Sequence, residues 1–241
     1  MTRSPEGGPR LSLVDHLEEL RRRLFIGLGT VAALTLLAMV WAGALLDRLA
    51  SAVPGGLVFV RPAEAFFSRM KIAVALGLAA GLPVLLWQAW RFVSAGLTDE
   101  ERRRFGWAVP AAYGLFLLGA GFAWLVAVPV AVRVLLGMGT ASVKPLISVD
   151  AYLSFIVIFL LGFGAMCQWP LVVWVLAKVG IVTPAFLREY RPHAVVAIFI
   201  LAGVLTPGPD ILSQLLMAGP GVLLYETSIW MAGLASRRPL L

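Results

Sequence analysis

Six long stretches of this 241-residue chain contain no Asp, Glu, Lys or Arg. A helix rises 1.5 Å per residue, so crossing the apolar core of a bilayer takes about 20 apolar residues. The first four stretches have that length and the last two are shorter. We therefore predict an all-α polytopic membrane protein with six transmembrane helices, of which the last two are short. The stretches are 24–46, 72–90, 105–132, 151–177, 192–209 and 211–225.

The overall composition excludes an ordinary soluble fold. Hydrophobic residues make up 60% of the chain, charged residues only 14%, and the mean hydropathy is +0.91. A typical soluble domain is nearer half apolar and a quarter charged. We expect a single integral membrane domain over 1–241, and in such a protein the net charge of +7 bears on orientation and does not indicate a nucleic-acid partner.

The distribution of the cations predicts the orientation. If the N-terminus is cytoplasmic, 14 of the 20 Lys and Arg residues fall on the cytoplasmic side and 6 on the other. Cytoplasmic loops of membrane proteins are enriched in Lys and Arg, so both termini are predicted to be cytoplasmic. The six cations on the opposite side are Arg48, Arg61, Arg69, Lys71, Arg133 and Lys144.

The N-terminal region is predicted to contain a flexible cytoplasmic tail over 1–10 and an amphipathic helix over 11–23 that leads into the first span. Leucines recur at helical spacing from Leu13 to Leu24, and Ser12 with Asp15 resembles a capping box. No apolar core followed by a cleavage site is present in the first 23 residues, so we expect no removable signal peptide.

Two further helix starts are predicted from their capping residues. Thr98 with Glu101 is a second capping box, and Thr183 before Pro184 is a candidate N-cap.

Residues for catalysis or for a metal are scarce. The chain has two histidines, no HxxxH or CxxC spacing and a single cysteine, Cys167, which is predicted to be a small buried thiol. No phosphate-binding loop and no Ser-His-Asp set is recognisable. We therefore assign no catalytic residue, expect no metal or cofactor, and interpret the chain as a binding or conducting membrane protein.

A few polar residues lie in or beside the apolar stretches. Glu226 is either a functional acid or an interfacial side chain that reaches water. Gln168 precedes Pro170, which frees a backbone carbonyl, so its amide can bond that carbonyl or another helix. With Gln214 these residues form the midplane site of an alternative hypothesis, a small-molecule or ion transporter. The full set is Gln88, Gln168, Gln214, Tyr225 and Glu226.

Acidic residues on the predicted cytoplasmic side have two interpretations. Glu18 and Glu19 stand four residues before Arg22 and Arg23, the arrangement of solvated helix-surface ion pairs. Glu101 closes the second capping box. Either acid can instead serve as a binding group, and the residues alone leave both interpretations open.

Several ordered motifs resemble those of the TatC family, the six-span core subunit of the twin-arginine protein translocase. The resemblance extends from about residue 11 to residue 229, with the same number of spans and the same orientation. The matching segments are HLEELRRRL at 16–24, WRFVSAGL at 90–97 followed by ERR at 101–103, DAYLSF at 150–155, LREYRP at 187–192 and LTPGPD at 205–210.

This resemblance implies a receptor in the bacterial cytoplasmic membrane that binds Arg-Arg signal peptides of folded precursors, for export driven by the proton gradient. It implies TatA- and TatB-type single-span partners and a homo-oligomeric complex. The family's signal-binding carboxylates correspond to Glu19 and Glu101, and a planar guanidinium suits a carboxylate better than an ammonium does. Many members carry an acid where this chain has Gln168. Residues at supporting motif positions are Arg21, Phe92, Pro83 and Arg103.

Overall fold

The computed structural model describes residues 13–51, 53, 56–94, 99–138, 146–206 and 210–236, without the side chains of 13–16, 99, 101 and 104. The predicted tail over 1–10 and the two capping boxes, which need Ser12 and Thr98, lie outside this part. Within it the chain is helical and contains no strand. The helices are α1 Leu13–Ser51, α2 Glu64–Val93, α3 Asp99–Arg104, α4 Ala108–Phe122, a π-helical segment Ala123–Ala127, α5 Val128–Gly137, α6 Val149–Met166, α7 Trp169–Lys178, α8 Pro184–Glu189, α9 Arg191–Leu205 and α10 Ile211–Ser236.

Five helical segments among the described residues are long and apolar enough to cross a bilayer, which confirms the all-α membrane fold. The third is α4, the π-helical segment and α5 in succession, and the fourth is α6 followed by α7. The prediction that the last two spans are short holds for α9, with 15 residues, and is wrong for α10, which has 26. Helix α10 continues past Glu226 through the uncharged segment 227–236, and the acid pairs with Arg191.

Helices α1 and α2 form an antiparallel hairpin that is packed closely through glycine. A methyl carbon placed on Gly77 would lie 2.7 Å from the Thr35 Cα, and one on Gly81 would lie 2.9 Å from a Val31 methyl group. The hairpin gives the bundle two ends. We call the end with the start of α1 and the end of α2 the N-terminal face, and the other end the opposite face.

Helix α6 packs against both α2 and α4 at the centre of the bundle. Its inward side chains are almost completely buried, and Phe159 and Phe163 stack along it with ring centroids 5.9 Å apart. The approach of α4 is very close, because a methyl carbon on Gly119 would lie 2.4 Å from the Phe163 carbonyl oxygen. The small residues of α4 therefore determine how near the two helices come.

A buried carboxylate joins two loops on the opposite face. Glu64, at the start of α2, accepts hydrogen bonds from the backbone N–H groups of Val60 (2.7 Å), Arg61 (3.1 Å) and Asp150 (2.9 Å), and from the Ser148 hydroxyl. Val58 also forms a parallel β-bridge with Ser148. The segment before α2 is thereby fixed to the start of α6, and we call this arrangement the Glu64 clamp.

Local sequence explains two helix boundaries. Thr183 is the predicted N-cap, confirmed by the bond from the Phe186 N–H to its hydroxyl at 3.2 Å, with Pro184 in the first turn. Between α6 and α7 the Gln168 N–H bonds the Ala165 carbonyl at 3.0 Å, so the helical ladder breaks just before Pro170.

Candidate functional site

A polar cavity of about 250 Å³ lies on the N-terminal face, between the first turns of α1 and the last turns of α2. Its volume is below that of ordinary small-molecule pockets, roughly 300–1,000 Å³, so it suits one or two side chains of a partner. We call it the Glu19 cavity. The residues that line it are Glu19, Arg22, Arg23, Ile26, Gln88 and Arg91.

Glu19 is engaged by Arg23 of the same helix. The Arg23 Nε donates to the Glu19 Oε1 at 3.1 Å, and its Nη2 donates to the same oxygen. The Arg23 side chain is 15% exposed and that of Glu19 31%, so the pair lies partly inside the cavity. The analogous pair expected between Glu18 and Arg22 does not form in the part of the chain that the structure describes.

Gln88 and Arg91 bring α2 into the cavity. They are three residues apart, which places both on one side of a helix. The Gln88 amide has no hydrogen-bond partner among the described residues, so its carbonyl oxygen and its N–H groups remain available to a ligand. The polarity of Gln88 was visible in the sequence, but its proximity to Glu19 depends on the packing of α2 against α1.

The other predicted site residues lie on the first three helices. Glu101 lies in α3, and its side chain is outside the described part, so its position relative to Glu19 stays a prediction. Arg103 is exposed on the same helix and Phe92 is half-buried near the end of α2. Pro83 lies inside α2, and the Arg21 guanidinium lies 5.7 Å from the ring centroid of Phe25.

Gln168 bonds two helices together. Its Nε2 donates to the Ala112 carbonyl of α4 at 2.9 Å and to the Gly164 carbonyl of α6 at 3.3 Å. The second carbonyl is available because the Gln168 backbone N–H has shifted to Ala165. The predicted bond to another helix is confirmed, whereas the bond within its own helix goes to Gly164 and not to Met166, whose carbonyl is the one that Pro170 leaves without a helical donor.

Gln214 and Glu226 have separate partners. The Gln214 Nε2 donates to the Phe199 carbonyl at 2.9 Å, which joins α10 to α9. Glu226 forms a two-bond ion pair with Arg191, in which the Nε–Oε1 distance is 2.6 Å and the Nη2 bonds the other carboxylate oxygen. Because each polar group of the transporter hypothesis is engaged by a different partner, nothing in the described part favours a shared midplane site.

Glu226→Gln is expected to leave the yield of folded protein within about twofold of that of the unsubstituted protein, because partly exposed ion pairs contribute little. The measurements are the yield of folded protein in the membrane and its melting temperature, with Arg191→Gln as the matched variant. A loss of folded protein that Glu226→Asp restores would instead show that an acid is required at this position.

An apolar cavity of about 240 Å³ lies beside α2 on the same half of the bundle. Trp90 and Val93 line it from α2, Val109 from α4 and Leu176 from α7. Gln168 is its single polar lining residue. Such a surface can bury an apolar peptide segment near the polar Glu19 cavity.

Comparisons with known proteins cover most of the chain. The model of the family described as Sec-independent protein translocase protein (TatC) matches residues 15–220. The TatC protein of Carboxydothermus hydrogenoformans is 39% identical over 92% of this chain and 93% of its own length. That of Aquifex aeolicus is 35% identical over 95% and 97%. A crystal structure described as the twin arginine translocase receptor TatC superposes with a TM-score of 0.85 at 35% identity, covering 92% of this chain and 100% of that one.

Proposed function

Because this chain belongs to the TatC family of Sec-independent protein translocase proteins, we propose that it is the receptor subunit that binds Arg-Arg signal peptides of folded precursors at its N-terminal face. The relatives are named as translocase components, a transport role and not a catalytic one. The observation that carries the proposal is the Glu19 cavity, which presents a carboxylate and an amide at that end of the bundle.

The proposed site uses one acid for each arginine of the signal. Glu19 receives one guanidinium in the cavity and Glu101 of α3 receives the other. A guanidinium presents N–H groups in a planar fork that matches a carboxylate, whereas an ammonium is a compact point charge. Residues proposed to support this face are Arg21, Phe92, Pro83 and Arg103.

Two exposed ion pairs are too weak to hold a peptide alone, since each contributes about 0–1 kcal/mol. We therefore propose that the apolar part of the signal lies along the spans, with the apolar cavity beside Trp90 as its first contact. Burial of apolar surface yields about 25 cal/mol per Å², so a few hundred Å² supplies several kcal/mol.

The proposed orientation places the N-terminal face in the cytoplasm of a bacterial cell, with both termini inside and α9 counted as a sixth span. The distribution of the cations supports it, because most of them fall on that side. Helix α9, with 15 residues, is shorter than the bilayer core, so the bilayer thins beside it. The proposed partners are TatA- and TatB-type single-span subunits and further copies of this chain, and the proposed driving force is the proton gradient.

Crosslinking of a signal peptide tests the site. In membranes that contain the full chain, Glu19→Ala and Glu101→Ala are each expected to reduce crosslinking of an Arg-Arg peptide by about fivefold, the upper end of what an exposed ion pair contributes. The double variant is expected to fall to background. Glu18→Ala removes an exposed acid from the same turn and should stay within about twofold. Undiminished crosslinking in both single variants and in the double variant would refute the assignment.

A further inference from the structure

The Glu19 cavity has more positive than negative charge. Three guanidinium groups, those of Arg22, Arg23 and Arg91, line it together with one carboxylate. A peptide with two arginines is repelled by such a lining unless one of the resident cations leaves the carboxylate that the peptide needs. The geometry of the Glu19 pair indicates which of them leaves.

We infer that Arg23 is a resident competitor, which occupies the Glu19 carboxylate until an arginine of the signal displaces it. This inference rests on the proposed function. Arg23 binds Glu19 through Nε and Nη2, an edge of the guanidinium that a free arginine side chain also presents. Because Arg23 is four residues away on the same helix, it competes at a high effective concentration.

Gln88 gives the incoming arginine an advantage over Arg23. Arg23 bonds Glu19 and does not bond Gln88, although both side chains line the cavity. An arginine that enters from the solvent side can place one N–H on Glu19 and another on the Gln88 carbonyl oxygen, which is available. An ammonium cannot present a planar fork to two acceptors on different helices. The exchange is therefore favourable for arginine and unfavourable for lysine.

Displacement needs no movement of the backbone. The Arg23 side chain has several rotatable bonds, and the pair it leaves is partly exposed, so the guanidinium can turn into water. The Glu19 carboxylate and the Gln88 amide then face the arginine of the signal, while Arg22 and Arg91 stay in the lining. In this scheme Arg23 lowers the affinity of the site for every peptide, and Gln88 supplies the preference for arginine over lysine.

Substitutions at Arg23 test the competition against simple charge removal. The full chain is placed in vesicles of phosphatidylethanolamine and phosphatidylglycerol, and binding of an Arg-Arg signal peptide is measured by fluorescence. Arg23→Gln is expected to raise affinity about five- to tenfold, and Arg22→Gln, which removes the same charge from the same cavity, by no more than about twofold. Arg23→Lys preserves the charge and weakens the pair, so it should also raise affinity.

A Lys-Lys peptide separates the two roles. Arg23→Gln should raise the affinity for the Lys-Lys peptide by the same factor as for the Arg-Arg peptide, because the competitor is removed for both. Gln88→Leu should lower Arg-Arg affinity about tenfold and leave Lys-Lys affinity unchanged, with a thermal melt to verify that each variant is folded.

Four results would contradict the exchange. If Arg22→Gln and Arg23→Gln raise the affinity for the Arg-Arg peptide equally, charge repulsion alone explains the gain and Arg23 is not a competitor. A loss of affinity in Arg23→Gln or Arg23→Lys would make Arg23 a support for Glu19. If Gln88→Leu lowers the affinity for the Arg-Arg and the Lys-Lys peptide equally, Gln88 does not determine selectivity. If Glu19→Ala weakens binding but the Arg23 variants do not raise it, the exchange alone is refuted; if Glu19→Ala has no effect, the proposed site fails as well.

Discussion

Gly119→Val is expected to prevent the chain from accumulating as a folded protein. A methyl carbon at this position would lie 2.4 Å from the Phe163 carbonyl oxygen, 2.9 Å from its carbonyl carbon and 2.8 Å from the Cys167 sulfur. Two of these atoms are backbone, so no rotamer change relieves the contact and α4 must move away from α6. Overpacking of a core typically costs 1–3 kcal/mol, and a clash with a helix backbone belongs at about the upper end of that range.

Gly121→Val is the matched control for this substitution. Gly121 is on the same helix, two residues further on, and a methyl carbon there would have no heavy atom within 4 Å. The yield of monodisperse protein after detergent extraction and its melting temperature should both fall steeply for Gly119→Val and stay near the unsubstituted values for Gly121→Val. Equal behaviour of the two variants would show that the close approach of α4 and α6 does not limit stability.

Glu64→Ala is expected to open the Glu64 clamp on the opposite face. The substitution leaves the N–H groups of Val60, Arg61 and Asp150 and the Ser148 hydroxyl without their acceptor. Unpaired buried donors are costly, and bonds to a charged acceptor are the stronger ones. Glu64→Gln should open the clamp as well, because glutamine replaces one carboxylate oxygen by an NH2 group. That donor would face the N–H and hydroxyl donors that Glu64 now accepts from.

Amide hydrogen exchange measures the opening of the clamp. Exchange of segments 56–64 and 146–150 should accelerate on the order of tenfold or more in both Glu64 variants, while the central part of α6 keeps its protection. Asp47→Ala, which removes an exposed acid on the same face, is the control. Unchanged exchange in Glu64→Ala would mean that the β-bridge from Val58 to Ser148 suffices to hold the segments together.

The spans were predictable because their signal is compositional and local. Stretches without charge identify each apolar segment, and Thr183 with Pro184 identifies the start of α8. The length of α10 did not follow from the uncharged stretch, because that stretch stops at Glu226 whereas the uncharged segment 227–236 beyond it continues the same helix. Pro170 indicated the break between α6 and α7. For the π-helical segment, Pro129 just after its end was the one indication in the sequence.

The site was predictable only in part. Glu19 followed from resemblance to a family, and its i,i+4 partner Arg23 followed from helical spacing. That Gln88 lies opposite them required knowledge of how α2 packs on α1, which depends on contacts such as Gly77 with Thr35. Glu64 was missed because its partners on Ser148 and Asp150 are more than 80 residues away in sequence.

The π-helical segment bears on how much insertion and deletion the third span tolerates. Ala123, Ala127 and Ala131 are all buried at a spacing of four residues, which in a regular α-helix would drift by about 40° at each step. The wider π turn takes in one additional residue between Ala123 and Ala127, which offsets the drift of the regular helix between Ala127 and Ala131. A chain one residue shorter here would form an ordinary α-helix with both flanking halves in their present orientation. The packing of this span therefore fixes the directions of its two ends but leaves its length in residues free to vary by one.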